Sequence, residues 1–222
     1  MDKSFQDDEL VALLKSGHRH LLPKGHIMSN VGEAMGVSIV ERGYIKRYLI
    51  TEEGNQSIQL IYGPGNIFPL TAIFSTLLGL ELFDGDEIFF YEVMSNASIR
   101  SIKLTTLQDY CEQNPQIYKD LFYVSGTRFN SWIASVEMLS QGNSYRKLAH
   151  QLIYFAEEYG QTSAEGTKIL IPLTNQDLAG ILKLTRETIS RNLSRMQQKG
   201  LVKLGKNITI VNIEKLRKEY NK

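Results

Sequence analysis

The sequence predicts an α+β fold with an antiparallel β-roll at the N-terminus, a long helix, and a winged helix-turn-helix at the C-terminus. Three observations predict it. Short apolar runs broken by Gly, Asn and Pro fill residues 22–104, a heptad pattern follows Pro115, and two capped helical segments precede a basic hairpin. The predicted domains are 1–112 for the roll, 113–142 for the long helix and hinge, and 143–222 for the helix-turn-helix.

Composition predicts a cytoplasmic protein. The 222 residues are 42% hydrophobic and 22% charged, as in soluble globular proteins. The opening "MDKSFQDDEL" is acidic and lacks the apolar core of a secretory signal. The longest weakly charged apolar run, 70–80, is shorter than the roughly 20 residues that a membrane span needs. We therefore expect no contact with a membrane.

The charge is divided along the chain. Residues 1–142 carry 11 Lys/Arg and 17 Asp/Glu, whereas residues 143–222 carry 14 Lys/Arg and 7 Asp/Glu. An acidic front and a basic back indicate that only the last domain meets a polyanion.

The predicted roll consists of short β-rich runs separated by turn signals. Gly54-Asn55 lies between two such runs and predicts a hairpin, and Pro64-Gly65 predicts a second turn. The runs are "VSIVERG", "YIKRYLI", "QSIQLIYG" and "ASIRSIKL". Several short strands at this spacing favour a small antiparallel barrel or roll.

The long helix is predicted to have two apolar faces. One is a heptad seam with a 4-3 spacing, formed by Tyr118, Phe122, Ser125, Phe129, Trp132, Val136 and Leu139. The second stripe contains Ile117, Leu121, Val124 and Met138. Two apolar faces need two surfaces to pack against. We expect the roll on one side and a partner helix on the other, although burial within a single domain is the alternative.

A further helix is expected to end at Gly160, with one face formed by Leu148, Leu152, Phe155 and Tyr159. The following "QTSAEGTK" is predicted to be a polar loop, and "ILIPL" a short strand.

Two short helices and a hairpin complete the chain. Thr174 and Asp177 are close to a capping box for the first helix, and Thr185 is a good N-cap for the second. At about 100° per residue, the second helix has an apolar face of Ile189, Leu193 and Met196 opposite a polar face of Arg186, Glu187, Ser190, Arg191 and Ser194. "LVKLGKNITIV" then predicts a wing with lysines near its tip.

This arrangement is typical of a helix that enters the major groove of DNA. Arg donates twice to guanine and Glu accepts from cytosine, so Arg186, Glu187 and Arg191 suit a half-site that contains G·C pairs. The alternative is an ordinary solvated helix face. The predicted DNA contacts are Thr174, Thr185, Arg186, Glu187, Ser190, Arg191, Lys203 and Lys206.

At these residues the sequence resembles the cyclic AMP receptor protein/FNR family of bacterial transcription regulators. "LTRETISRNLSRMQQKGLV" resembles the R-E-T-x-x-R recognition helix of the family, and "VGEAMGVSIVERGYIKRYLITEEGNQSIQLIYGPGNIF" is similar to its β-roll. "QNPQIYKDLF" resembles the start of its dimerisation helix, and Asn143 stands at the hinge position.

The resemblance implies a homodimer on a palindromic operator of double-stranded DNA, with recognition helices about one DNA turn apart. It also implies RNA polymerase as a partner. The seam residues expected in the dimer are Phe122, Phe129, Trp132, Val136 and Leu139.

The sequence departs from the family where cyclic nucleotides bind. Pro69-Leu70 stands in place of a Gly-Glu pair for the ribose, and Ile88-Phe89 in place of an Arg-Ser pair for the phosphate. Residues 71–92 contain no Lys or Arg but several carboxylates. A cyclic phosphate would lack a charged partner there, so we expect an effector other than cyclic AMP that is neutral, cationic or largely apolar.

No cofactor or metal is expected. The single cysteine, Cys111, excludes an iron–sulphur cluster held by four thiolates of this chain. Haem is not expected either, since His18, His20, His26 and His150 are candidate ligands by residue type only.

Aromatic residues around the roll suggest an effector pocket formed by Phe74, Phe89, Phe129 and Trp132. A dimer contact or packing within the roll core would also explain the roll aromatics, and core packing is the preferred interpretation.

Two alternatives to an effector-controlled regulator remain. One is a regulator that needs no ligand, and the other is a small-molecule-binding roll whose last domain is an interaction module. The sequence has no glycine-rich phosphate loop and no catalytic grouping at recognisable spacing, so an enzyme is not expected.

Overall fold

The protein is described by a computed structural model over residues 9–29, 36–79, 88–140 and 143–220. The chain groups into two compact units: Met1–Ile50 with Gln59–Ser131, and Thr51–Ile58 with Trp132–Lys222. The boundary between Ser131 and Trp132 lies within a helix of 25 residues.

The first part of the chain alternates short strands with helices. Its elements are α1 (Glu9–Ser16), β1 (His18–Leu22), β2 (Ile27–Ser29), β3 (Val37–Arg42), β4 (Ile45–Ile50), β5 (Gln56–Tyr62), β6 (Ile67–Phe68), α2 (Leu70–Leu78), β7 (Phe90–Val93), β8 (Ala97–Ile102), α3 (Leu104–Gln113) and α4 (Gln116–Ser140). The strands form two four-stranded sheets in the orders β1-β8-β3-β6 and β2-β7-β4-β5. The pairs β1–β8, β3–β8, β3–β6, β2–β7 and β4–β7 are antiparallel, as the sequence predicted.

Both predicted turns of the roll are confirmed. Gly54 lies between β4 and β5 with φ 78°, and Gly65 lies between β5 and β6 with φ 85°. Residues with a side chain rarely adopt this left-handed conformation, which explains glycine at both positions. The Thr51 N–H donates to the Asn55 carbonyl at 2.9 Å and closes the first hairpin.

Two apolar cores stabilise this part of the chain. One lies inside the roll and includes Tyr62, Phe68 and Tyr91, whose rings pack together with centroids 5.1 to 6.3 Å apart. The other joins α1, α3 and the start of α4 to the sheet, and it contains Ile117 and Leu121. The second apolar stripe predicted for the long helix is therefore confirmed at its N-terminal end, where it anchors α4 on the roll.

The second part of the chain is a helical domain with a small sheet. Its elements are α5 (Ser144–Tyr159), β9 (Gly160–Ser163), β10 (Gly166–Ile169), α6 (Asn175–Leu182), α7 (Arg186–Gln198), β11 (Val202–Lys203), β12 (Thr209–Ile210) and α8 (Ile213–Tyr220). The sheet has the order β11-β12-β10-β9. Together with the roll and α4, this domain confirms the predicted fold class.

One local prediction was wrong. The segment "QTSAEGTK" is not a loop, because β9 and β10 pair as an antiparallel hairpin that continues directly from α5. The four residues of β9 are exposed, so no apolar alternation marks the strand in the sequence. Gly160 ends α5 in an extended conformation, and a Cβ there would lie 2.0 Å from the Ala156 carbonyl oxygen. The strand predicted from "ILIPL" includes only Ile169 of that segment.

Among the described residues, no helix combines the length and apolar character needed to span a membrane.

A charged network ties three strands of the roll together. Glu41 on β3 accepts from Arg100 Nε on β8 at 2.7 Å and from the Ser98 hydroxyl at 2.7 Å, and Arg19 Nε on β1 lies 2.9 Å from its Oε2. The hydrogen bonds from Arg100 and Ser98 lower the pKa of the Glu41 carboxyl.

We predict that Glu41→Gln destabilises the protein by about 1 kcal/mol near neutral pH, because charge-assisted hydrogen bonds are lost. A carboxyl whose pKa is lowered by folding stabilises the protein above its unfolded pKa, and this stabilisation is lost as pH falls through the folded pKa. The difference from wild type should therefore shrink in acid. Denaturant titrations at several pH values test this, with the exposed Glu52→Gln as control. An equal difference at every pH would contradict it.

Candidate nucleic-acid interface

The first helix of the helix-turn-helix, α6, begins with a complete capping box. The Thr174 hydroxyl accepts from the Asp177 N–H at 3.0 Å, and Asp177 Oδ2 accepts from the Thr174 N–H at 2.9 Å. The Thr174 hydroxyl also donates to Oδ2 at 2.6 Å. These bonds satisfy backbone donors that a helix start leaves unpaired. The capping box is confirmed, and it already engages the hydroxyl of a residue predicted to contact DNA.

The turn between α6 and α7 depends on Lys183. Its φ is 55°, in the left-handed region, and its N–H donates to the Ala179 carbonyl. The Leu184 N–H donates to the same carbonyl at 3.1 Å. Gly or Asn is favoured at such a position, so the sequence predicted a turn without indicating that a lysine would adopt this conformation. Burial lowers the pKa of the Lys183 ammonium.

The predicted recognition helix is α7. Thr185 is its N-cap, and the Thr185 hydroxyl accepts from the Thr188 N–H at 3.2 Å. Ile189, Leu193 and Met196 are buried on its inner face. The exposed residues on the other side include Arg186, Glu187, Ser190, Arg191 and Ser194. The helix therefore presents charged groups beside small polar side chains, which allow another surface to approach closely.

The hairpin of β11 and β12 follows α7 and carries Lys206 exposed near its tip. Asn207 Nδ2 donates to the Ile169 carbonyl at 2.8 Å and ties the tip to β10. Lys203 Nζ lies 3.5 Å from Glu165, and both side chains are more than half exposed. An exposed pair of this kind contributes little free energy, so a phosphate can replace Glu165 as the partner of Lys203 at low cost.

The outward face of α4 exposes large apolar side chains. Phe122 is 80% exposed, Phe129 58% and Val136 48%. Two further residues of the predicted seam, Trp132 and Leu139, have side chains outside the described part of the structure.

The predicted effector residues are not brought together. Phe89 is buried in the roll core, Phe74 lies half-buried on α2, and Phe129 is exposed on α4. The Trp132 side chain lies outside the described residues. The position of Phe89 agrees with packing in the roll core, whereas the pocket remains a prediction.

Sequence reasoning missed a buried charge in the roll. Arg47 is 6% exposed, and its guanidinium carbon lies 3.8 Å from the centre of the Phe89 ring. It is paired in register with Tyr91, whose phenol pKa is raised by burial. Arg47 lies on β4, outside residues 71–92, and reaches the core from that strand. Along β4, Arg47 lies on the same face as the buried Ile45 and the core residue Leu49, and this two-residue alternation was the signal in the sequence that could have indicated its burial.

Possible metal and haem ligands are scattered. His18, His20 and His26 are exposed, His150 is half-buried on α5, and Cys111 is buried. Burial raises the pKa of the Cys111 thiol and lowers that of the His150 imidazole. Within the described ranges, no group of three or more His, Cys, Asp and Glu side chains is arranged to hold a metal ion. The expectation that no cofactor is bound stays a prediction.

Comparison with known proteins identifies the helix-turn-helix. Residues 146–219 match the family model described as "Crp-like helix-turn-helix domain". The regulatory protein HlyX of Actinobacillus pleuropneumoniae is 26% identical over 86% of this chain and 76% of its own length. The fumarate and nitrate reduction regulatory protein of Escherichia coli K12 is 25% identical over 88% of this chain and 75% of its own.

The helix-turn-helix model and these relatives support assignment of the chain to the CRP/FNR family of transcription regulators.

The solved structure of FixK2 from Bradyrhizobium japonicum has the same fold, with a TM-score of 0.74 at 20% identity, and covers 91% of this chain and 96% of its own. The resemblance seen in the sequence is thus confirmed. The matched helix-turn-helix domain and the regulatory relatives support a DNA-binding transcription regulator rather than an enzyme.

The exposed positions of Arg186 and Lys206 lead to a prediction about DNA reading. We expect Arg186→Ala to cost about 1–3 kcal/mol of specific binding and to relax preference at one base pair in each half-site. Lys206→Ala should weaken binding to all sequences alike and reduce the salt dependence, because a phosphate contact carries no sequence information. Binding titrations at several salt concentrations, with operator and scrambled duplexes, measure both. An unchanged base preference in Arg186→Ala would contradict the assignment of α7.

Proposed function

We propose that this CRP/FNR regulator acts as a homodimer on a palindromic operator and responds to an effector other than cyclic AMP. The observation that carries the proposal is the exposed polar face of α7, held outward by its buried apolar face. The arginines suit guanine and Glu187 suits cytosine, so each half-site contains G·C pairs. Two α7 helices related by a two-fold axis would read two half-sites about one DNA turn apart.

The exposed face of α4 supports the homodimer. Aromatic side chains such as Phe122 are costly to leave in water, and their repeat along one helix face fits the seam of a helix pair. A symmetric pair uses the same patch on both protomers, so a single helix face suffices. Trp132 and Leu139 continue the same seam in the sequence.

The roll supports an effector that is not a cyclic nucleotide. Phe89 stands at the position of the family's phosphate-binding serine and is buried in the core, while Pro69 and Leu70 lead into α2. The preference for a neutral, cationic or apolar effector rested on residues 71–92 alone. Arg47 brings a positive charge into this core, so the charge of the effector is left open. We propose only that the effector is neither cyclic AMP nor cyclic GMP.

A regulator that needs no effector is the second candidate. It is favoured by the rings of Tyr62, Phe68 and Tyr91, which pack together in the interior of the roll. A thermal shift screen against metabolites separates the two candidates, because only an effector-binding roll gains stability from a ligand. As a transcription regulator the protein would act in the cytoplasm and contact RNA polymerase.

The dimer leads to a prediction about Phe122. Phe122→Glu should convert the protein to a monomer at micromolar concentration, because it buries a charge without a partner in the seam. Sedimentation velocity measures this change. Leu21→Glu, at a residue of β1 that is 71% exposed, is the matched control and should remain dimeric. A wild-type monomer would overturn the proposed dimer.

The roll leads to a prediction about ligands. Cyclic AMP and cyclic GMP should neither bind appreciably in calorimetry nor change operator affinity. A ligand shifts the equilibrium between two states only by its differential affinity for them, and the lost Arg-Ser position offers no charge-assisted hydrogen bonds. Micromolar binding of cyclic AMP with a matching rise in DNA affinity would contradict this expectation.

A further inference from the structure

The inner face of α7 contains one polar residue among apolar ones. Asn192 is 8% exposed and lies between Ile189 and Met196 in the buried stripe. Its Nδ2 donates to the Ser144 hydroxyl at 3.1 Å. A buried amide costs free energy unless it is hydrogen-bonded, whereas a leucine would fill this position without a polar group that needs a partner. The asparagine therefore contributes a directional bond to the first residue of α5.

The next residue of α5 makes a second connection to α7. Tyr145 is 7% exposed, and its ring lies under two cations, Arg195 of α7 with Cζ 4.7 Å from the ring centre and Lys199, the C-cap of α7, with Nζ 5.3 Å from it. Lys199 also forms an ion pair with Glu219 of α8, and this hydrogen bond raises the pKa of Lys199. Both cations are thus engaged on the side of α7 that faces its own domain.

The start of α5 is itself fixed. Asn143 caps the helix by accepting from the N–H groups of Tyr145 and Arg146 at 3.1 and 3.0 Å. Ser144 and Tyr145 therefore hold a defined position in the first turn. Because these two residues are fixed, their contacts with α7 also fix the position of α7, the helix with the exposed polar face.

We propose that Ser144, Tyr145, Asn192, Arg195 and Lys199 form a positioning cluster that fixes the orientation of α7 against the first turn of α5. The cluster acts through the base-reading residues and does not itself contact bases. Arg195 and Lys199 serve α7 by holding Tyr145, and they are not phosphate contacts. This inference rests on the proposed reading of an operator by α7.

The test compares specific and non-specific DNA binding in cluster variants. The operator is first selected from random duplexes with the wild-type protein. Asn192→Leu should keep or raise the melting temperature, because a leucine fills the buried site. It should nevertheless lower operator affinity about tenfold, since α7 loses its directional bond, and change affinity for scrambled DNA less than about twofold. Ser144→Ala should lower operator affinity by a similar factor and leave affinity for scrambled DNA almost unchanged. The variant that combines Asn192→Leu with Ser144→Ala should lose no more operator affinity than either single variant, because both changes remove the same hydrogen bond.

The ring contact is tested at Tyr145. The Tyr145 hydroxyl has no hydrogen-bond partner among the described residues, so Tyr145→Phe should retain full operator affinity. Tyr145→Leu should lower operator affinity about tenfold, because the contact between the Tyr145 ring and the cations of Arg195 and Lys199 is lost. Arg195→Gln should lower operator affinity without changing the salt dependence. Arg217→Gln, which removes the same charge from α8, is the matched control and should bind as wild type does.

Three results would overturn the inference. The first is an affinity loss in Asn192→Leu that follows a fall in melting temperature and is equal for operator and scrambled DNA. The second is a reduced salt dependence in Arg195→Gln, with the slope of log affinity against log salt concentration lowered by about one unit. That result would make Arg195 a phosphate contact. The third is unchanged discrimination in every cluster variant. A wild-type protein that selects no operator would instead refute the proposed function.

Discussion

The interface between α7 and the rest of its domain depends on burial of Ile189, Leu193 and Met196. Each such side chain contributes about 1.5–3 kcal/mol when it leaves water, so together they fix which side of α7 faces inward. The exposed position of Arg186, Glu187 and Arg191 follows from that burial. A rotation of α7 by one residue would expose an apolar side chain and turn a charged one inward, at a cost that no single DNA contact could offset.

Local signals in the sequence predicted the parts of the structure that local physics determines. The Thr174 capping box, the Thr185 N-cap and the Gly54 hairpin each depend on a few neighbouring residues, and all three are present. The sequence did not predict the hairpin of β9 and β10, because all four residues of β9 are exposed and no alternating apolar pattern marks the strand. Contacts between distant residues were missed for another reason. Arg47 meets Phe89, and Tyr145 meets Arg195, only after strands and helices pack, and no spacing in the sequence encodes either pair.

The roll has the architecture that the sequence predicted, and aromatic rings pack together in its interior. A phosphate site needs donors held in place around a cavity, and a packed aromatic cluster needs the same space for rings. Here the rings of Tyr62, Phe68 and Tyr91 pack together, and Phe89 lies against the Arg47 guanidinium. One fold can in general carry different interiors on the same backbone framework.

The faces of α4 explain how one helix can belong to two surfaces. Ile117 and Leu121 are buried with α1 and α3, so the N-terminal part of α4 is fixed to the roll by apolar contacts. Phe122 follows Leu121 directly and points away from that core, because adjacent residues of a helix are about 100° apart. A rotation or shift of the α4 backbone at Leu121 must therefore also move Phe122. The apolar core under α4 and the exposed seam are coupled by the geometry of the helix itself, without a separate pathway between them.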